Sequence, residues 1–187
     1  AQATVRSSNA VIAALMLQRG EADGMLLGCT GKFSDHVQLV NDIIGCAEDV
    51  KELSTLTAMI MPSGTYFICD SHISVAPSAE EIAEMAVLAA SEVKRFGIEP
   101  RIALVSRSNF GSHDYSDAAK MRKALELVRE IAPSLRIDGE MDADAAILGE
   151  HRLKAIGDAD FKDSANLLVM PSVDAAHISA NLLKTLG

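Results

Sequence analysis

Arg101-Ile102-Ala103-Leu104-Val105-Ser106-Arg107-Ser108-Asn109-Phe110-Gly111-Ser112 is the stretch on which the fold turns. Four consecutive apolar residues give way to a run of small polar ones. A strand with one wet face alternates apolar and polar side chains, so this unbroken run predicts a strand buried on both faces. Such a strand needs helices above and below it, and the flanking sequence supplies them. Upstream, Ser78 followed by Glu81 has the spacing of a capping box, just after Pro77, and opens a helix that runs to about Phe96, with Gly97 as terminator. Downstream, a loop over residues 107–113 leads into a charged amphipathic helix that ends before Pro133.

Outward from this unit the alternation continues. Residues 135–138 read as a short strand, residues 139–143 lead into another helix, residues 166–170 read as a strand, and Asp174 is expected to cap a last helix. Towards the amino terminus, residues 53–61 and 65–69 read as two strands joined by Pro62-Ser63-Gly64, the one clear hairpin signal. Before them come a helix opened by Ser34 or Asp35 and closed by Gly45, a short apolar strand over residues 24–29, and a first helix. Ser7 or Ser8 caps that first helix and Gly20 stops it. The expected fold is α/β: three α-β-α layers around a mostly parallel, mixed sheet with helices on both faces. The segment 157–165 is the one soft stretch.

Composition narrows the partners. The 187 residues are 49% hydrophobic and 23% charged, which suits an ordinary globular core. With 4% aromatics and no Trp, aliphatic side chains and eight Met must fill it. Seventeen basic against 26 acidic residues give a net charge of −9, which opposes a nucleic-acid partner while leaving room for a local pocket for one small anion. No apolar run approaches the roughly 20 residues needed to cross a bilayer, and no signal-peptide pattern opens the sequence. Three cysteines without a Cys-x-x-Cys, Cys29, Cys46 and Cys69, are expected to be reduced core thiols in a cytoplasmic protein.

The motifs point to binding rather than catalysis. Gly28-Cys29-Thr30-Gly31-Lys32-Phe33 lacks the four-residue spacing and the Ser or Thr of a phosphate loop. It reads either as a tight turn into a helix or as a weak anion nest around Thr30. Arg107, Ser108 and Asn109 follow a parallel strand, where open α/β sheets bind ligands, and an Arg with small polar groups suits phosphate or carbonyl oxygens. The other reading of that loop is an ordinary capped connection. Asp138, Glu140, Asp142 and Asp144 alternate, but they fall short of a calcium loop and are read as acids at a helix amino terminus. The five histidines, at 36, 72, 113, 151 and 177, show no metal spacing, and there is no Gly-x-Ser-x-Gly elbow. No catalytic group and no metal ligand is nominated.

Seven segments, in order and nearly spanning the chain, carry a resemblance. They are Gly20-Glu21-Ala22-Asp23-Gly24, Phe67-Ile68-Cys69-Asp70-Ser71, Pro77-Ser78-Ala79-Glu80-Glu81-Ile82-Ala83, Arg95-Phe96-Gly97-Ile98-Glu99-Pro100, the stretch quoted at the outset, Asp138-Gly139-Glu140-Met141-Asp142-Ala143-Asp144-Ala145-Ala146, and Ala165-Asn166-Leu167-Leu168-Val169-Met170-Pro171. Together they resemble the phosphate acetyl/butyryl transferase family, in the phosphotransacetylase-like form fused behind bacterial malic enzymes. The resemblance implies two α/β subdomains with a ligand cleft between them. Residues 1–20 would be a helix leading in from the first subdomain, residues 21–187 would form the second, and much of the first would be missing.

It also implies acetyl-CoA as ligand, a homodimer within a larger oligomer, and regulation of malate oxidation. NAD or NADP and a divalent metal would belong only to the malic-enzyme region. The rival implication is part of an active transferase that converts acyl-CoA and phosphate to acyl phosphate and CoA. The family is thought to use a Ser-Arg pair in an Asp-Leu-Ser-Arg-Gly segment, which this sequence does not contain. Other departures are Lys184-Thr185 near a usual Arg, Ser74 for a usual Asn and Asp142 for a usual His. Arg6 resembles a substrate-contacting residue. The nominated ligand contacts are therefore Arg6, Thr30, Arg107, Ser108, Asn109 and Asp174.

Overall fold

The computed structural model describes residues 8–48, 50–156 and 161–187. The chain divides into two units, residues 1–52 and 53–187.

The first unit holds two helices packed on one another, α1 (Asn9–Gln18) and α2 (Phe33–Ile43). Ser8 caps α1, its Oγ accepting from the Val11 amide at 3.4 Å. The strand expected over residues 24–29 does not form. Gly28 and Cys29 adopt φ of +146° and +66°, which breaks an extended backbone, and Leu26 is fully exposed. A lone apolar hexamer without a ladder partner gains nothing from being a strand.

The second unit is built on a five-stranded sheet in the order β1-β2-β5-β3-β4. Its strands are β1 (Leu56–Met61), β2 (Gly64–Cys69), β3 (Arg101–Val105), β4 (Arg136–Met141) and β5 (Leu167–Val169). The hairpin pairs β1 antiparallel to β2, from Leu56↔Cys69 to Met61↔Gly64, and every other pairing is parallel. The mixed, mainly parallel sheet expected from the sequence is what forms.

Alternation along the strands divides the core. Phe67, Cys69, Ile102, Leu104, Leu167 and Val169 point to one face, where α3 (Ala79–Arg95) and α4 (Ser116–Ile131) cover them. Ile68, Ala103, Val105 and Leu168 point to the other face, under α5 (Ala143–Ile147) and α7 (Val173–Leu186), and α6 (Gly149–Ile156) follows α5. Alanines dominate the helix side of this second layer (Ala145, Ala146, Ala176, Ala180), which lets the backbones approach closely. The capping box is present: Glu81 N donates to Ser78 Oγ at 3.2 Å, and Ser78 N donates to Glu81 Oε2 at 2.6 Å.

Three further expectations change. β4 runs on to Met141, so Asp138 and Glu140 are strand residues and not acids at a helix start. A strand tolerates them because α4 supplies a cation to each, Arg129 to Asp138 at 3.5 Å and Arg122 to Glu140 at 3.0 Å. Between them Gly139 is obligatory: at φ +149° a Cβ there would lie 2.7 Å from Leu104 Cβ. The last helix is capped by Ser172, whose Oγ accepts from Ala175 N at 3.4 Å, while Asp174 sits in its first turn. Of the three thiols only Cys69 is a core residue; Cys29 is exposed because the strand that would have buried it is absent, and Cys46 is exposed beyond the end of α2. Among the described residues no helix is long and apolar enough to cross a membrane.

Candidate functional site

The crossovers decide where a crevice can open. After β3 the chain turns to α4 on one face; after the neighbouring β5 it turns to α7 on the other. Adjacent parallel strands whose connections leave in opposite directions part at their carboxyl ends, and α/β proteins place ligands in that gap. Here it is edged by residues 106–113 on one side and Pro171-Ser172 on the other. Lys120 of α4 reaches across, its Nζ donating to the Pro171 carbonyl at 2.9 Å.

Two clamps hold the loop of residues 106–113 to the end of β4. Glu140 is fully buried, and its Oε1 accepts from Ser108 Oγ (2.7 Å), Gly111 N (2.9 Å) and Arg122 Nη1 (3.0 Å). Asn109 and Asp142 exchange two bonds: Asn109 Nδ2 donates to Asp142 Oδ2, and Asp142 N donates to Asn109 Oδ1 at 2.8 Å. Phe110 N adds a bond to the Glu140 carbonyl at 2.7 Å. Ser108 and Asn109, nominated as ligand contacts, thus have their polar groups engaged within the loop.

Arg107 is different. It is exposed, its guanidinium lies 3.9 Å from the centre of the Tyr115 ring, and it donates no hydrogen bond to another described residue. Tyr115 in turn stacks on His113, with centroids 5.3 Å apart and planes 8° from parallel. The stack restricts a long side chain while leaving its five N–H donors open, which lowers the entropy cost of gripping an anion. Beside it, Ser106 Oγ and Glu140 Oε2 are buried without a hydrogen-bond partner. Buried polar atoms are nearly always satisfied, so orphans beside a crevice mark a place where a bound group or water belongs.

A second polar cluster closes β2. The Asp70 carboxylate accepts from Thr55 N and Oγ1, His72 N, Ile73 N and Ser74 N. Burial alone would raise its pKa, but the bonds from Thr55, His72 and Ser74 outweigh that and hold it below the ordinary carboxylate range. Next to it, burial and the Asp70 charge push the Cys69 thiol up to about 12, so it is no nucleophile. Ser71 Oγ lies 2.7 Å from His72 Nδ1, the reach of a nucleophile–base pair, but Ser71 is fully buried and also bonded to Thr57 Oγ1. A hydroxyl that no substrate can reach is structural.

The remaining nominated residues lie elsewhere. The Thr30 carbonyl is 2.7 Å from His36 Nε2 in the first unit, Asp174 is exposed at the start of α7, and Arg6 lies outside the described residues. Among the described residues no group of three or more His, Cys, Asp or Glu could hold a metal ion. A polar depression of about 610 Å³ opens at the opposite, amino ends of the strands, beside Tyr66, Arg101 and Asn166. It lies away from the parted connections. Sequence reading missed Glu140, Arg122, Tyr115 and the Asp70 cluster. For Glu140 the alternation with Asp138 was the available signal, since period two is a strand period.

The fold is that of an acyl-transfer family: the family model for phosphate acetyl/butaryl transferase matches residues 1–187, and the chain belongs to that family. More particularly, it is 49% identical over 184 residues to the NADP-dependent malic enzyme of Escherichia coli (strain K12), covering 98% of this chain and 24% of that protein. It is 48% identical over 186 residues to the NAD-dependent malic enzyme of Rhizobium meliloti (strain 1021), covering 100% of this chain and again 24% of the relative. Identity to the phosphate acetyltransferase of Bacillus subtilis (strain 168) is 34%, over 92% of this chain and 54% of the enzyme. Among solved structures, the EutD phosphotransacetylase from Staphylococcus aureus superimposes with a TM-score of 0.88 at 29% identity, over 95% of this chain and 55% of that one. The chain thus spans about a quarter of these malic enzymes and about half of the Bacillus subtilis and Staphylococcus aureus transacetylases.

Proposed function

We propose that this chain is the phosphotransacetylase-like part of an NAD(P)-dependent malic enzyme of the cytoplasm, where it binds acetyl-CoA, regulates malate oxidation and helps to assemble the oligomer, without catalysing a reaction alone. The observation that carries the choice is the pair of malic-enzyme relatives, each matched over essentially the whole chain at nearly half identity. The crevice between β3 and β5 supports the binding half. Arg107, held against Tyr115, would take a phosphate or carbonyl oxygen of the ligand, and Ser106 Oγ would donate or accept beside it. Of the other nominated contacts, Ser108 and Asn109 would act by holding that loop. Asp174, in the first turn of α7, would contribute from outside the loop. The nicotinamide cofactor and divalent metal of such an enzyme would belong to the remainder of the polypeptide.

Regulation requires acetyl-CoA to bind two states of the enzyme with different affinity. The test is calorimetry and malate turnover in the full-length enzyme carrying this segment. Acetyl-CoA is expected to bind and to lower turnover, and Arg107→Ala to weaken binding about 10-fold or more, as for loss of a charge-assisted contact. Absence of both binding and any change in turnover ends the proposal.

The likeness to working transacetylases favours a second reading, in which the chain is part of an active transferase. That chemistry needs a base for the CoA thiol and donors for the oxyanion and the departing phosphate. Asp70 is occupied by five donors and Glu140 is buried under the loop, so neither is placed to accept a thiol proton. Acetyl phosphate formation by this chain alone at enzyme-like rates would reverse the preference.

A further inference from the structure

The polar depression of about 610 Å³ at the amino ends of the strands has a floor and a wall that are both pinned. The floor is the start of β3 together with the residue before β5. Asn166 Oδ1 accepts from Arg101 N at 2.7 Å, Asn166 N donates to the Arg101 carbonyl at 3.0 Å, and Asn166 Nδ2 donates to the Glu99 carbonyl at 2.9 Å. The wall is residues 161–165. The buried Arg152 donates to the carbonyls of Phe161, at 2.9 Å, and Asp163, and Ala165 N donates to the Ala146 carbonyl at 2.8 Å. At Gly149, the first residue of α6, a Cβ would collide with the Lys162 carbonyl, so the helix start and the wall are packed on each other. The volume is that of a pocket for one small molecule.

The charged groups around it are not used on one another. Arg101 Nε donates to the Ser164 carbonyl at 2.7 Å, which fixes the plane of a half-buried side chain. Its two Nη groups hydrogen-bond no described residue. Lys162, Glu150 and Asp163 also line the depression, and none of the three is ion-paired with a described residue. A simple anion would meet the two carboxylates, and a simple cation would meet Arg101 and Lys162, so each is opposed by about as much charge as attracts it. A neutral polar molecule would use none of the four. A ligand carrying both signs satisfies all of them. Its remaining part is set by Tyr66 and Ile98, a half-buried ring and a half-buried aliphatic side chain in the same lining.

We infer that this depression binds a free α-amino acid with an apolar side chain. Arg101 takes the carboxylate through its two Nη groups, the two-point grip that a guanidinium gives a carboxylate. Lys162 adds positive charge beside it, Glu150 and Asp163 hold the ammonium, and the side chain lies on Tyr66 and Ile98. A further charge on the ligand's side chain would be set against apolar surface, so acidic and basic amino acids bind less well. The site lies within residues 53–187, at the ends of the strands opposite Arg107, and shares no residue with the crevice. It goes beyond the acetyl-CoA reading and is independent of it.

The experiment is an amide-resolved NMR titration of the whole chain with L-phenylalanine, 3-phenylpropanoate and 2-phenylethylamine, which share a ring but carry both charges, the carboxylate alone or the ammonium alone. L-Phenylalanine is expected to bind with a dissociation constant of about 1 mM or below, shifting the amides of residues 64–66, 101 and 164–166. Each singly charged probe is expected to bind about 10-fold or more weakly, and L-glutamate also more weakly. Arg101→Met, which keeps the apolar stem, is expected to weaken L-phenylalanine about 10-fold or more. Because that change also removes the bond to Ser164, the exposed Glu150→Gln is measured beside it and is expected to cost about 3-fold or more. Circular dichroism verifies that both variants are folded. The inference is overturned by the absence of shifts at several millimolar L-phenylalanine, by shifts confined to the crevice loop at residues 106–113, by equal affinity for the three ring probes, or by a Glu150→Gln protein that binds like the parent.

Discussion

Glu140→Gln is the most informative perturbation of the loop that carries Arg107. Glu140 Oε1 takes three hydrogen bonds, from Ser108, Gly111 and Arg122, in a fully buried position. Bonds to a charged acceptor contribute about 1.5–3 kcal/mol each, roughly twice a neutral one, so neutralising the acceptor loses about 1 kcal/mol per bond. The new amide N–H groups would also sit where Oε2 now has no partner, adding about 1–2 kcal/mol for buried unsatisfied donors. The sum is a loss of about 4 kcal/mol. Arg122→Gln takes the cation away from the buried Glu140 carboxylate along with bonds to Asp114 and the His113 carbonyl, and is expected to cost about 3 kcal/mol or more. Urea unfolding measures both: with a slope of about 2 kcal/mol/M, the Glu140 midpoint falls by about 2 M. Amide exchange should quicken at residues 107–113 in the same variant. A Glu140→Gln protein within about 1 kcal/mol of the parent, with an equally protected loop, would refute the clamp.

Other expectations follow from neighbouring features. Arg152 is fully buried, stacked 4.2 Å over Phe161, and donates to the carbonyls of Ala145, Ala146, Phe161 and Asp163. Arg152→Met keeps the stem but strands those acceptors, for a loss of about 3 kcal/mol by urea unfolding, and a neutral result would sink this account. A thiol reagent is expected to modify Cys29 and Cys46 rapidly in the native protein and Cys69 only on unfolding; three fast thiols would contradict its burial and raised pKa. Asp70 has a depressed folded pKa, so its stabilisation is complete above the unfolded value of about 3.9 and disappears as pH falls through the folded one. The stability gap between the parent and Asp70→Asn should therefore close in the acid range below about pH 4, and a gap independent of pH would be the contrary result.

How much of this was legible depended on whether a signal was local. β3 announced itself because four apolar residues in a row are affordable only between two helical layers. The helix from Ser78 did so because both halves of its cap lie within four residues. β4 hid its length, since Asp138 and Glu140 look wrong for a strand until Arg129 and Arg122 are known to arrive from α4. The apolar hexamer at residues 24–29 misled for the opposite reason: its hydrophobicity was local, but the partner strand it needed was not there. The site divided the same way. Arg107, Ser108 and Asn109 could be found from their place after a strand, whereas Glu140 matters through contacts with residues 18, 29 and 32 positions away. No window of sequence shows those.

β5 has a consequence for how the chain comes together. It is the last strand in sequence yet the third in space, wedged between the β1–β2 hairpin and the β3–β4 pair. A nascent polypeptide that has not yet delivered Leu167–Val169 owns two separate half-sheets whose inner borders have nothing to join them. Insertion of three residues, with the flanking bonds from Phe67 N to the Asn166 carbonyl and from Met170 N to the Cys69 carbonyl, closes the seam. The crevice cannot exist before that moment, because one of its walls is the turn that leaves β5. Any fragment cut short of residue 166 should thus behave as sticky halves and not as a smaller version of the protein.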